Sequence, residues 1–399
     1  MNRRLLATLL VISATVLAGC GAFGGAPSPT VASTDTEAST PAPTPTETAT
    51  PTAASTPEPV AVAGELSVDA TLVWERVESL FPGEYEPPRV SARNVTGTSM
   101  TPPFAAHLGL DRETETFAAE NAGGGYVRQE DRVLLLTRNG SATELERILA
   151  HEFVHAIQDQ AGLLERADDT ESVAVERAIV EGAAMYVENA YAREFLGFSS
   201  LDWTCAEYAN GTPHSRYING PYCYGGQYFV AQLDSPSEVA NPDLPLPNTT
   251  EQVLHPRTTD SPVSLTVTTG LEATTARDRQ GELFVRTVLG TELPEQRAID
   301  AAAGWGNDRL VRATGDTEGY VWVLRWDTDN DAAEFESAFG DYLGARGERS
   351  ADGWTVGDDR YRLRSVDDRT VAVVTGNETF VDRASVAAEN GNVTVSAEP

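Results

Sequence analysis

Two histidines four positions apart, with a glutamate beside the first, are the residues of this chain best suited to chemistry: His151-Glu152-Phe153-Val154-His155. On a helix, positions i and i+4 share one face, so both imidazoles can reach a single ion. Glu152 can then hold and deprotonate a water at the rim of that site. The chain has five histidines, and two of them are spent here. Catalytic zinc takes three protein ligands and keeps one position open. A third histidine within an extended H-E-x-x-H-x-x-G-x-x-H run is excluded, because those positions hold Gln158 and Ala161.

The surrounding pattern supplies the helix. Val133 to Leu136 reads as a strand, Asn139-Gly140 as a turn and Thr143 as a cap. Leu145, Ile148, Leu149, Phe153, Ala156 and Ile157 then follow with helical apolar spacing. A second helix is expected over 172–195. On it Glu181 shares a face with Ala174, Ala178 and Met185 and is flanked by Gly182, Ala183 and Ala184. A carboxylate on a small, apolar face is costly unless paired or bound to a cation. Glu181 is therefore chosen as third ligand over Glu176 and Glu188, the simple salt bridge being the alternative. Asp159, four positions after His155, is either a hydrogen-bond acceptor for a ligand imidazole or a solvated acid at the helix end.

The two helices resemble the gluzincin branch of zincin metallopeptidases, which use two histidines and a glutamate from a following helix. His151 to Gln160 together with Ile179 to Ala184 is similar to a poorly characterised group of exported bacterial and archaeal zincin-like proteins. Further segments of likeness are 221–230, 248–256 and 303–309, so the resemblance spans about residues 130 to 340. It implies an α+β, helix-rich metallopeptidase fold, one zinc ion held by His151, His155 and Glu181, and Glu152 as general base. It also implies a peptide or protein substrate, and a His or Tyr that steadies the oxyanion; His214, Tyr222, Tyr228 and His255 are the candidates. Of the other residues, His255 before Pro256 reads rather as a turn residue. His107 has no identifiable partner, and Gly304-Trp305-Gly306 reads as a packing turn.

The remainder of the chain says where such a domain would work. Among 399 residues, 60 are acidic and 29 basic, a formal charge of −31, and every base is arginine. This excludes nucleic-acid binding through a basic face and attachment to anionic lipid through basic residues. The lysine-free acidity looks like the proteome of halophilic archaea, where carboxylates keep a protein hydrated in molar salt. Arg3 and Arg4 precede an apolar run from Leu5 to Leu17, too short to span a bilayer. The run ends in Leu17-Ala18-Gly19-Cys20, which resembles a lipoprotein signal with lipid carried on Cys20. The paired arginines resemble a twin-arginine export signal. Residues 1–20 are thus read as a signal peptide and 21–63 as a disordered Thr/Pro/Ser stalk. The protein is expected on the outer face of the cytoplasmic membrane, anchored by lipid. Sequons at Asn94, Asn139, Asn210, Asn248, Asn377 and Asn392 suit an exported glycoprotein. Cys205 and Cys223 are expected to form a disulfide there.

A zincin-like domain is placed at 64–314 and a C-terminal α+β lobe at 315–399. A short helix is expected over 74–80. In the lobe, Tyr320 to Trp326 reads as a strand and Asp331 to Leu343 as an amphipathic helix. Tyr361 to Arg364 and Thr370 to Val374 read as a hairpin, and 379–389 as a helix.

Overall fold

A computed structural model of the protein describes residues 59–94, 102–110, 122–256, 261–274, 279–314, 318–389 and 391–397. The signal segment, Cys20 and the stalk as far as residue 58 lie outside the described residues. The fold is mixed α+β, with a helical region followed by a sheet lobe.

The helical region opens with β1 (Val62–Ala63), α1 (Ala70–Glu78), β2 (Arg89–Arg93) and α2 (Pro103–His107), then β3 (Gly123–Val127) and β4 (Arg132–Leu136). The strands form one sheet in the order β1-β2-β4-β3. β1 and β4 run parallel to β2, and β3 runs antiparallel to β4. Five helices follow: α3 (Ala142–Gln160), α4 (Leu163–Asp168), α5 (Val173–Tyr191), α6 (Ser200–Asn210) and α7 (Pro213–Gln232), with the short α8 (Thr250–Leu254) behind them. Ser141 caps α3, its Oγ accepting from Glu144 N at 3.2 Å; the cap is two residues earlier than the Thr143 expected from sequence. Ser172 caps α5 in the same manner. The expected helix over 74–80 is α1, whose Trp74 meets Phe153 edge-on at 5.3 Å and so braces α3 from behind.

The close approach of α5 and α7 is a glycine effect. A Cβ on Gly182 would stand 2.5 Å from Gly225 Cα, and one on Gly225 would stand 2.4 Å from the Ala178 carbonyl oxygen. Only bare backbones fit at that separation. Cys205 and Cys223 are disulfide-bonded, tying α6 to α7.

The lobe contains β5 (Thr266–Thr269), β6 (Ala273–Thr274), α9 (Glu282–Leu289), α10 (Glu295–Ala302), β7 (Trp305–Ala313), β8 (Gly319–Trp326) and α11 (Asp329–Arg346). It continues with β9 (Glu348–Ser350), β10 (Gly353–Val356), β11 (Asp359–Asp367), β12 (Thr370–Gly376), α12 (Glu378–Arg383), β13 (Ala384–Glu389) and β14 (Asn392–Ala397). A seven-stranded sheet runs β6-β7-β8-β12-β11-β10-β9, and a three-stranded one runs β13-β14-β5. Alternation along β8 and β12 divides the core. Trp322, Leu324, Trp326, Val371 and Val373 meet Phe335 and Phe339 of α11, whereas Val321, Val323, Ala372 and Val374 meet Phe380, Val393 and Val395.

Three expectations change here. The lobe begins well before residue 315, since β5, β6 and β7 all pair into its sheets. The helix expected over 379–389 ends at Arg383, and Ala384–Glu389 is a strand paired antiparallel with β14. Sheet pairing outweighs the helical preference of its alanines. His107 does have neighbours: it lies 3.3 Å from Asp359 and against the rings of Tyr320 and Tyr361. Gly304-Trp305-Gly306 is the packing turn expected, with Gly304 at φ +74 and Trp305 fully buried at the head of β7.

Candidate metal centre

His151 and His155 project from α3 and Glu181 from α5, and one ligand atom of each lies within 4.8 Å of the others. All three side chains are buried, at 4%, 3% and 1% exposure. Glu181 Oε2 stands 3.2 Å from His151 Nε2 and 3.3 Å from His155 Nε2. The other ring nitrogens are held from behind: His151 Nδ1 by Glu188 Oε2 at 2.9 Å, and His155 Nδ1 by Gln158 Oε1 at 2.8 Å. Each acceptor fixes a proton on Nδ1, so that when a cation displaces the proton on Nε2 the lone pair left there faces the centre of the cluster, the tautomer a metal requires. Gln158 is itself anchored by donating to Val180 O on α5 at 2.9 Å. His155 Nε2 is buried and, apart from the 3.3 Å approach of Glu181, has no well-aligned hydrogen bond among the described residues. Two imidazoles and a carboxylate converging in a buried space form a group that could hold a metal ion.

Charge is unusually dense. Burial disfavours an imidazolium at His151, yet hydrogen bonds to Glu181 and Glu188 outweigh it and raise the pKa to about 10. His155 is raised in the same sense, burial being overcome by Glu181. Burial would lift Glu181, but the two imidazoles hold it well below the usual carboxylate range. A cation entering between them competes with protons. Glu152 behaves oppositely: burial pushes it up to about 7 in spite of both neighbouring imidazoles. Its Oε2 is buried and unpartnered among the described residues.

Glu152 reaches this position because of a glycine. β3 crosses directly over it, and a Cβ on Gly124 would lie 2.6 Å from Glu152 Oε1. The run Gly123-Gly124-Gly125 lets the strand backbone settle on the helix face that carries Glu152. Beside His151 and Glu152 is a cavity of about 20 Å³, lined also by Arg147, Met185, Glu188, Thr204 and Tyr222.

Of the residues proposed from sequence, His151, Glu152, His155 and Glu181 are brought together. Asp159 is not with them. Its carboxylate accepts from Arg128 Nε at 2.6 Å and from Tyr126 OH at 3.2 Å, on the side of α3 facing β3, and touches neither imidazole. Glu188, weighed as a ligand, instead binds the back of His151, and Glu176 is half-buried away from the cluster. Of the four oxyanion candidates only Tyr222 is at the site, its ring stacked on His151 at 5.8 Å. His214 bonds Leu110 O, His255 pairs with Glu282, and Tyr228 packs on Phe229 in the core. Sequence reasoning missed Gln158, which holds His155, and Arg147, whose Nη1 donates to Glu188 Oε1 at 2.9 Å. The signal for Glu188 was readable, since seven residues after Glu181 returns to the same helix face.

Comparison with known proteins adds little at the site. One family profile matches, a domain of unknown function (DUF8575), over residues 268–385. That span lies in the sheet lobe and excludes every residue of the metal centre. No curated protein and no solved structure matches the chain.

All six sequon asparagines are exposed. Among the described residues no helix is long and apolar enough to cross a membrane.

Proposed function

We propose that the protein is a zinc-dependent peptidase of gluzincin type, carried on the cell surface by lipid at Cys20 and a stalk. His151, His155 and Glu181 would hold the ion, which when bound supplies Lewis acidity toward a peptide carbonyl. Glu152 takes the proton of the attacking water and returns it to the leaving amine. Glu188 and Gln158 keep both ligand imidazoles in the tautomer that presents Nε2. Tyr222, stacked on His151, is the group best placed to donate to an oxyanion. The single observation that carries this reading is Glu152: a buried carboxylate, raised to about 7, with one oxygen unpartnered beside the ligand cluster. A purely structural site has no use for such a base.

A second reading, a silent zincin-like surface module, is favoured by burial, since Glu152 is only 1% exposed. Glu152→Gln separates the two. In a peptidase the variant keeps its zinc and loses hydrolysis of an internally quenched peptide library. Undiminished hydrolysis in that variant would sink the mechanism, and absence of hydrolysis in the wild type would favour the silent module.

A further inference from the structure

We propose that Arg147 forms a carboxylate-recognising subsite, so that the preferred substrate bears a carboxylate on the residue following the scissile bond. For the identity of the ligand as a peptide, this rests on the peptidase reading above.

Arg147 sits one helical turn before His151 on α3 and is 5% exposed. Its Nη1 donates to Glu188 Oε1 at 2.9 Å, and the guanidinium carbon lies 5.3 Å from the centre of the Trp203 ring. Pinned at one edge and faced by an aromatic ring, the fork is held rigid. Its Nη2 is buried with no partner among the described residues. Leaving a buried, charged N–H unpaired is costly, so an acceptor is missing from its surroundings. Arg147 lines the cavity of about 20 Å³ that also borders His151, Glu152, Thr204 and Tyr222. That space is about that of one water, whose place a carboxylate oxygen would take.

Three considerations favour the carboxylate as the functional occupant. A guanidinium already paired through one nitrogen presents its remaining N–H groups in the planar geometry that carboxylates match. The helix places Arg147 about 6 Å along the axis from His151. A carbonyl at the metal and a carboxylate on the following residue are about 4 Å apart along the chain. The two spans are of the same order, and the hydrogen bond to the guanidinium adds about 2.9 Å of reach. Finally, Glu188 links recognition to the ligand set, because its two oxygens hold Arg147 and His151 separately. The carboxylate can be the C-terminal one or that of an Asp or Glu side chain.

Small acids without a peptide bond between residues test this independently of turnover. N-acetylglutamate, N-acetylglutamine and N-acetylglutamine amide are titrated calorimetrically against the zinc-loaded and the metal-free full chain. The expected result is at least tenfold tighter binding of an acid than of the amide, in both forms of the protein. N-acetylglutamine binding as tightly as N-acetylglutamate assigns the α-carboxylate, whereas preference for N-acetylglutamate assigns the side chain. Arg147→Gln abolishes the preference. Arg147→Lys, which keeps the charge next to Glu188 but loses the fork, reduces it severalfold with unchanged circular dichroism and zinc content. Equal affinity of acids and amide in the wild type would overturn the subsite, showing water alone as occupant. So would an acid preference that disappears with the metal or survives in both variants, since the carboxylate then sits on zinc. If the wild type binds acids but cleaves no peptide, the subsite stands and the peptidase reading falls.

Discussion

Each half of the molecule buries a carboxylate, and the two are treated differently. In the sheet lobe Asp308 is fully buried and its pKa is raised by burial, yet it accepts from Gln280 N and Gly281 N at 2.7 Å and from Trp305 Nε1 at 2.8 Å. Both its oxygens are engaged, and in that position they close the start of α9 onto the head of β7. In the helical region Glu152 is as deeply buried, but β3 lies against one oxygen and the other has no partner among the described residues. A fold that satisfies Asp308 in this manner could have satisfied Glu152 or replaced it with an apolar residue at less cost. Asp308 belongs to the architecture, whereas Glu152 has the free oxygen that the proposed mechanism requires.

The comparison breaks most sharply under amide substitution. Glu152→Gln is expected to lower turnover by about 10²–10⁴-fold, the range for loss of a general base, while thermal stability holds or rises. A fall in melting temperature without loss of turnover would make Glu152 as architectural as Asp308. Glu188→Gln should weaken zinc binding by about 10–100-fold, as expected for loss of a carboxylate behind a ligand histidine, measured by competition with a chromophoric chelator. Unaltered affinity would mean that the back of His151 is not set by Glu188. Asp308→Asn reverses the pattern, costing about 1–3 kcal/mol in denaturant unfolding because one oxygen becomes a donor facing donors, with zinc content unchanged. Gly182→Ala should cost a similar 1–3 kcal/mol by forcing α5 from α7, but with weakened zinc binding, since Glu181 moves with α5. The smallest effect concerns His255, which a hydrogen bond to Glu282 holds above its ordinary pKa against partial burial. Its stabilisation is complete below about pH 6.5, the unfolded value, and is lost as pH rises through the folded one. Replacement by Gln should flatten that part of the stability profile.

How far the sequence could be read also divides along these lines. The two histidines, Glu152 and Glu181 were legible because helix period alone puts them on facing surfaces, and the cysteine pair because only two remained after Cys20. β8, α11 and the β11–β12 hairpin were legible from alternation and amphipathic spacing. Asp159 was not, because the period that places it below His155 is blind to Arg128 and Tyr126, which arrive from the turn after β3 and from β3 itself. The start of the lobe was missed for a related reason: β5 pairs with β14, across more than a hundred residues, and nothing local in Thr266–Thr269 announces that partner. Ser141 with Glu144 was a readable S-x-x-E start that the Thr143 choice overlooked.

The central claim, a three-ligand zinc site, is tested most directly by metal content of the full chain and of Glu181→Ala, purified in high salt and analysed by mass spectrometry. The account predicts one zinc per wild-type chain and none in the variant, with both folded by circular dichroism. Wild-type protein without stoichiometric metal, or Glu181→Ala retaining it in full, would contradict it.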